Sequence, residues 1–178
     1  SSVGTPAAAD LALAVGAMLP KEVVATTYGG KTTKDHMFAF SSRGVELNKP
    51  EVSAPGVAST SVPIWDGRDV KNGTSMASPQ VAGAMALVWI TLSGSNVAHS
   101  GIVRRALTYS AKPLKGYRLQ DRGRGVIQVG AAVKLAIRLL KDEEARMALG
   151  YKVRTHAPNV EGEAMPGAYW RTGLYRPD

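Results

Sequence analysis

The residues best placed to do chemistry lie in one string: Asn72-Gly73-Thr74-Ser75-Met76-Ala77-Ser78-Pro79-Gln80-Val81-Ala82-Gly83. A loop ends in glycine, and a serine stands at the mouth of a run of small and apolar residues. Backbone N–H groups in the first turn of a helix have no partner in the helix and favour negative charge. A serine placed there has donors ready for an oxyanion, so the string suits acyl transfer with the Ser75 hydroxyl as nucleophile. Gly73 is expected to permit a turn that a side chain would block, and Ala77 and Ser78 to keep the approach open. The plain alternative is that Ser75 only caps a core helix.

A serine nucleophile needs a base to take its proton and a carboxylate to orient that base. The chain offers three histidines. His36 stands where a loop enters a strand, His99 begins a helix, and His156 lies beyond the last helix; each reads as a surface or capping residue. Asp66-Gly67 and Asp69 suit a turn before the serine loop, and Asp10 sits at the edge of the first strand. With no cysteine there is neither a disulfide nor a thiolate metal site. No Asp-rich loop has the spacing of a dedicated calcium site, so no metal or other cofactor is assigned.

The elements that must hold these residues change character along the chain. Leu11–Ala17, Val23–Thr27, Met37–Phe40, Glu51–Ala54 and Ala58–Val62 read as short strands, broken by Gly29–Asp35, by Ser41–Gly44, by Pro55-Gly56 and by Pro63. From Ser75 to Thr91 the residues are small or apolar on every side, which predicts a buried helix, with Pro79 near its first turn and Gly83 allowing close approach. Val97–Tyr109 reads as an amphipathic helix, Gly123–Val129 as a glycine-flanked strand, and Ala131–Leu149 as a long helix stopped by Gly150. Strands first and helices later fit the tail of an α/β domain over residues 1–150. Its mainly parallel sheet would need more strands than the chain supplies. Residues 151–178, rich in glycine, proline and aromatics, read as a linker or the start of a following β-rich domain.

Composition places the 178 residues, 44% hydrophobic and 20% charged, with ordinary globular proteins. No apolar run is long enough for a transmembrane helix. The net charge of +8 falls entirely on residues 90–178, which hold 15 Lys/Arg against 7 Asp/Glu. A basic half can attract nucleic acid or an acidic membrane, but the charges are dispersed and only loosely interleaved with aromatics, so a solvated surface is expected and neither partner is. Arg104-Arg105 and Lys112–Arg124 are its densest stretches.

The string Asn72–Gly83 resembles the serine signature of the subtilisin-like (S8) peptidases. Further segments resemble the same family in the same order: Ser2-Val3-Gly4-Thr5-Pro6-Ala7 with Ala14-Val15-Gly16-Ala17, then Phe40–Gly44 with Lys49–Gly56, then Gly123-Arg124-Gly125-Val126-Ile127-Gln128-Val129. The likeness covers about residues 1–140, the C-terminal half of a catalytic domain with a three-layer subtilisin-like fold. It implies that Ser75 is the nucleophile, that its own N–H is an oxyanion donor and that Asn72, Gly73 and Thr74 support the loop. It implies that Gly4 and Thr5 bind substrate, Gly4 as part of a pocket floor, and that Thr5–Pro6 is cis. Gln80 departs from the histidine common at that position, which is not the catalytic one. The family's aspartate, histidine and oxyanion asparagine lie upstream of the serine, in contexts this chain lacks. The resemblance thus implies peptide or protein substrates, an upstream half as partner, and inactivity of this chain alone. Calcium is common in the family. Gly125–Val129 and Thr172-Gly173-Leu174-Tyr175-Arg176 are similar to the large tripeptidyl-peptidase II-like members. A pseudopeptidase or assembly module of the same fold is the alternative.

Overall fold

The computed structural model describes residues 3–44, 47–60, 69–95, 99–143, 156–158 and 164–166. Strand β1 (Val15–Leu19) is followed by helix α1 (Lys21–Tyr28), then by strands β2 (His36–Met37) and β3 (Val52–Pro55). β1 is the centre of a three-stranded sheet. β3 runs parallel to it, with Val15 opposite Val52, and β2 is antiparallel on the other side, with Met18 opposite Met37. The outer edge of β3 takes up Gly125–Ile127: Ser53 N donates to Gly125 O at 2.8 Å, and Ile127 N donates to Ser53 O at 3.0 Å. β4 (Val57–Thr60) and β5 (Asp69–Asn72) form an antiparallel pair that leads to the serine string.

Helix α2 (Thr74–Thr91) carries Ser75 and lies on the sheet. Ala77, Val81, Ala84 and Val88 form its buried stripe, spaced as one helical face requires. Its first half packs with Ala17, Val52 and Ala54 of the sheet. Its second half packs with Ile102, Val103, Ala106 and Leu107 of α3 (His99–Tyr109) and with Ala132, Ala136 and Leu139 of α5 (Val129–Lys141). A short helix, α4 (Leu119–Arg122), precedes the glycines of Gly123–Gly125. The small residues expected to bury α2 on every side do so along one stripe only. The opposite face presents Leu87, Trp89 and Ile90 at 55%, 46% and 65% exposure.

Five expectations are corrected. Val23–Thr27 is helical, not a strand: Pro20 stands at the N-cap with φ −63° and ψ 140°, Glu22 lies in the first turn, and Gly29 closes the end at φ 64°. These end signals outweigh the weak strand preference of β-branched residues. The strand read over Leu11–Ala17 is displaced to Val15–Leu19, and that over Met37–Phe40 shrinks to His36–Met37. Gly123–Val129 is not a full strand, because α5 already begins at Val129; Val126 makes only isolated bridges to Ser53 and Lys112. The last long helix is interrupted at Asp142, which is extended at φ −105° and ψ 102°, while Glu143 is again helical. Consecutive acids at a helix C-terminus oppose its dipole. Residues 61–68, 96–98 and 144–150 lie outside the described residues, and with them Ser61-Val62, Asp66-Gly67 and the end of that helix. Strands β6 (His156–Pro158) and β7 (Ala164–Pro166) pair antiparallel. Among the described residues no helix is long and apolar enough to cross a membrane.

Gly123 and Gly125 are required by close approach. Both have positive φ, 63° and 136°; a Cβ on Gly123 would lie 2.3 Å from the Glu51 carbonyl carbon and one on Gly125 would lie 2.1 Å from Lys112 O. Each neighbour is backbone and cannot swing away. Gly125→Ala is therefore expected to cost more than about 2 kcal/mol, through strain and overpacking together, read as a drop in unfolding midpoint. An unchanged midpoint would show that the 123–127 stretch does not sit against β3 in this way.

Candidate active site

Ser75 stands in the first turn of α2 and is exposed. It faces a cleft of about 620 Å³. Thr74, Ser75, Ser78 and Pro79 line one side, and Pro6, Ala7 and the stretch Ala12–Val15 line the other. The walls are small and mostly apolar, with hydroxyls only along the α2 side. Pro79 is the sixth residue of α2, not part of its first turn. It therefore removes the helical hydrogen bond that the Ser75 carbonyl would accept.

The loop that aims Ser75 is held by backbone. Gly56 N donates to Met18 O at 2.7 Å, and Gly73 N donates to Gly56 O at 2.8 Å. A Cβ on Gly56 would lie 2.5 Å from Ala17 Cβ and 3.2 Å from Gly73 O. Gly56 is thus the glycine that this approach demands. Gly73 is not: its φ of 166° is extended, and a Cβ there would meet Met76 Sδ at an ordinary 3.5 Å. The expectation that Gly73 makes a turn closed to side chains is corrected accordingly. Gln80 ties the same region from the helix side, its Nε2 donating to Pro55 O at 2.8 Å and to Met76 O at 3.1 Å.

Asn72, Gly73, Thr74 and Ser75 follow one another from the end of β5 into the first turn of α2. Asn72 ends β5 opposite Val57, and its Oδ1 accepts a 2.6 Å hydrogen bond from Tyr28 Oη. Tyr28 is not legible as a site residue, because the segment before it reads as a strand; the Pro20, Glu22 and Gly29 end signals are what could have found it. Gly4 and Thr5 do not line the Ser75 cleft, whereas Pro6 and Ala7 next to them do. Nothing lies within 4 Å of where a Gly4 Cβ would be, and Gly4 O accepts from Ala8 N at 3.0 Å. Thr5–Pro6 is cis, as the resemblance implies.

No imidazole or carboxylate among the described residues hydrogen-bonds Ser75. His36 Nε2 lies 2.9 Å from Thr32 Oγ1, and its Nδ1 lies 3.4 Å from Tyr117 Oη. Among the described residues no three His, Cys, Asp or Glu side chains gather where they could share a metal ion.

The far wall of the cleft is anchored by a buried charge cluster that the sequence does not disclose. The Lys49 side chain is 6% exposed and that of Glu51 15%. Lys49 Nζ donates to Ala9 O at 3.1 Å, to Ala12 O at 2.6 Å and to Glu51 Oε1 at 2.6 Å. Glu51 Oε2 accepts from Ala14 N at 2.7 Å, and its Oε1 also pairs with Arg104. Arg104 reaches back to Leu11 O at 2.9 Å. One carboxylate and two cations thus fix residues 9–14, whose Ala12–Ala14 portion faces Ser75.

Comparisons with known proteins agree with this arrangement. Residues 1–128 match the subtilase family, Peptidase S8. Tripeptidyl-peptidase 2 of Arabidopsis thaliana is 34% identical over 131 residues, which are 68% of this chain and 9% of that protein. Subtilisin DY of Bacillus licheniformis is 36% identical over 137 residues, 75% of this chain and 41% of that one. The structure of fervidolysin from Fervidobacterium pennivorans, a keratinolytic enzyme related to subtilisin, superposes with a TM-score of 0.53 at 25% identity, over 73% of this chain and 20% of that one. The chain belongs to the subtilase family, and its fold is subtilisin-like. It spans less than half the length of these relatives.

Lys49→Met leaves Glu51 paired with Arg104 but takes one donor from each of two carbonyls, leaving Ala9 O with Ala12 N alone and Ala12 O with a long 3.5 Å contact to Arg104. It is expected to cost about 2–3 kcal/mol, somewhat below the usual penalty for breaking a buried pair. Faster amide exchange confined to residues 9–14 checks the local effect. An unchanged unfolding midpoint with unchanged exchange would show that Lys49 does not anchor this wall.

Proposed function

We propose that this chain is the nucleophile-bearing part of a serine peptidase that hydrolyses peptide bonds through an acyl-enzyme on Ser75. The observation that carries this reading is the exposed serine in the first turn of α2, facing a cleft with small apolar walls. In the reaction, Ser75 Oγ attacks the scissile carbonyl carbon while its proton passes to a base. The carbonyl oxygen gains negative charge and is stabilised by N–H groups at the start of α2, among them that of Ser75. The proton is delivered to the leaving amine, and water then releases the acyl group by the same path in reverse. Asn72, Gly73 and Thr74 hold the loop, and Gly4 and Thr5 extend the binding surface beyond Pro6 and Ala7.

The base, its carboxylate and a second oxyanion donor come, in this reading, from the upstream half of the catalytic domain. That half covers the face of α2 that presents Leu87, Trp89 and Ile90. Substrates are peptides or proteins; neither nucleic acid nor membrane takes part. The likeness to tripeptidyl-peptidase 2 favours removal of tripeptides from a free N-terminus, and the likeness to subtilisin DY favours internal cleavage. Products from a peptide with a free and with a blocked N-terminus separate these two. Retention of Asn72–Gly83 speaks against a pseudopeptidase.

Labelling by a fluorophosphonate probe, with the modified residue read by mass spectrometry, tests the assignment. The full-length protein is expected to label at Ser75, and Ser75→Ala to abolish labelling and lower kcat about ten-thousand-fold or more. The 178-residue chain alone is expected to stay unlabelled and to label once the upstream half is added. A full-length protein that labels elsewhere, or not at all, would overturn the proposal.

A further inference from the structure

A second cleft, of about 800 Å³, lies away from Ser75 and shares no lining residue with its cleft. Three stretches build it: Lys21 at the start of α1, Thr33–His36 leading into β2, and Lys112–Tyr117 before α4, with Val126 and Gln128 completing it. Four lysines line it, Lys21, Lys34, Lys112 and Lys115, against a single carboxylate, Asp35. That carboxylate is already engaged, since Asp35 Oδ1 accepts from Lys21 N at 2.9 Å. Among the described residues Lys34, Lys112 and Lys115 have no carboxylate within ion-pair range. The cleft therefore carries positive charge that the described residues do not neutralise.

Its walls are tied together rather than loosely apposed. His36 bridges Thr32 and Tyr117 through its two ring nitrogens. Lys112 and Val126 exchange two backbone hydrogen bonds, each 2.8 Å. The floor is apolar, made by Pro113, Leu114 and Val126, and Leu114 is buried with Met18 and Met37 beneath it. One more feature selects the ligand. β2 is the end strand of its sheet, so among the described residues one of its edges has no partner strand. A strand edge beside a pocket is a known way to receive an extended peptide, main chain along the strand and side chains in the pocket.

From these observations we infer that this cleft is a binding site for an acidic peptide segment. Carboxylates meet Lys34, Lys112 and Lys115, an apolar side chain rests on Leu114 and Pro113, and the peptide main chain runs beside β2. Single-stranded nucleic acid fits less well, because among the described residues the lining offers only the aromatic rings of Tyr117 and His36, and His36 is already tied to Thr32 and to Tyr117, which makes a poor stacking platform. The inference does not depend on the role of Ser75.

The test uses the full-length protein with Ser75→Ala, so that no probe can be cleaved. The probe is a fluorescent peptide of glutamate and aspartate with one central leucine, followed by anisotropy. Binding is expected, weakening as salt is raised. The double variant Lys112→Glu, Lys115→Glu is expected to weaken it at least about tenfold, the scale of losing two partly exposed charge pairs. The double variant Lys134→Glu, Arg138→Glu removes the same charge from exposed positions on α5 and is expected to change affinity less than about twofold. Circular dichroism confirms that both variants fold. Equal loss in the two variants would reduce the binding to general attraction by a basic protein and overturn the inference. So would no binding at low salt, or tighter binding of a single-stranded oligonucleotide than of the peptide.

Discussion

The Glu51 carboxylate is the point on which the geometry of the Ser75 cleft depends. It receives a backbone N–H from Ala14, an ammonium from Lys49 and a guanidinium from Arg104. These partners come from the stretch leading into β1, from the turn before β3 and from α3. A carboxylate this buried is costly unless both of its oxygens are paired, and here they are. Residues 9–12 have turns rather than a ladder to hold them. The turn bonds Ala12 N to Ala9 O, and Lys49 and Arg104 tie the Ala9, Leu11 and Ala12 carbonyls to the rest of the protein. The wall facing Ser75 is thus held by charge where hydrogen-bonded strand is lacking.

The opposite wall is placed by packing. α2 can approach the sheet closely because the residues between them are small: Ala77 on the helix, Ala17 and Ala54 on the strands. The same economy recurs at Gly56, where Ala17 leaves no room for a side chain. Nineteen glycines and a run of alanines look like a weak core in composition, yet here they shorten distances. Close packing of small groups gains in contact density what it loses in area per residue. The exposed Leu87, Trp89 and Ile90 follow from the same helix. A sequence apolar on every side is written for burial on every side, and this stretch of chain supplies cover for one of them.

What the sequence discloses and what it hides divide along physical lines. The serine string, the helix after it and the strands flanking Pro55-Gly56 are legible, because their signals are local: glycine and proline at fixed places, and a change from short broken runs to a stretch apolar on every side. The Lys49–Glu51–Arg104 cluster is not, since Glu51 and Arg104 are joined only by the fold. Val23–Thr27 reads as a strand when β-branched content is weighed above the end signals, and Tyr28 is lost with it. The role expected of Gly73 belongs to Gly56, which reads in the sequence as a mere strand stop after Pro55. A glycine's reason is visible only when its neighbour in space is known.

The serine loop consequently has a hard side and a soft side. On the hard side are Gly56, in contact with strand backbone, and Gln80, bonded to Pro55 O and Met76 O. On the soft side is α1, which has no buried residue. It meets the loop through the hydroxyl of Tyr28 on Asn72, and at its other end it meets the basic cleft through Lys21 N on Asp35. A hydrogen bond at an exposed position is worth about 1 kcal/mol, too little to fix a helix against thermal motion, whereas a backbone close contact yields only at the cost of moving a strand. Ser75 is therefore fixed with respect to the sheet, and whatever adjustment the loop makes falls on the Asn72 side. That asymmetry suits a nucleophile, whose own position must stay constant while the surface beside it accommodates a substrate.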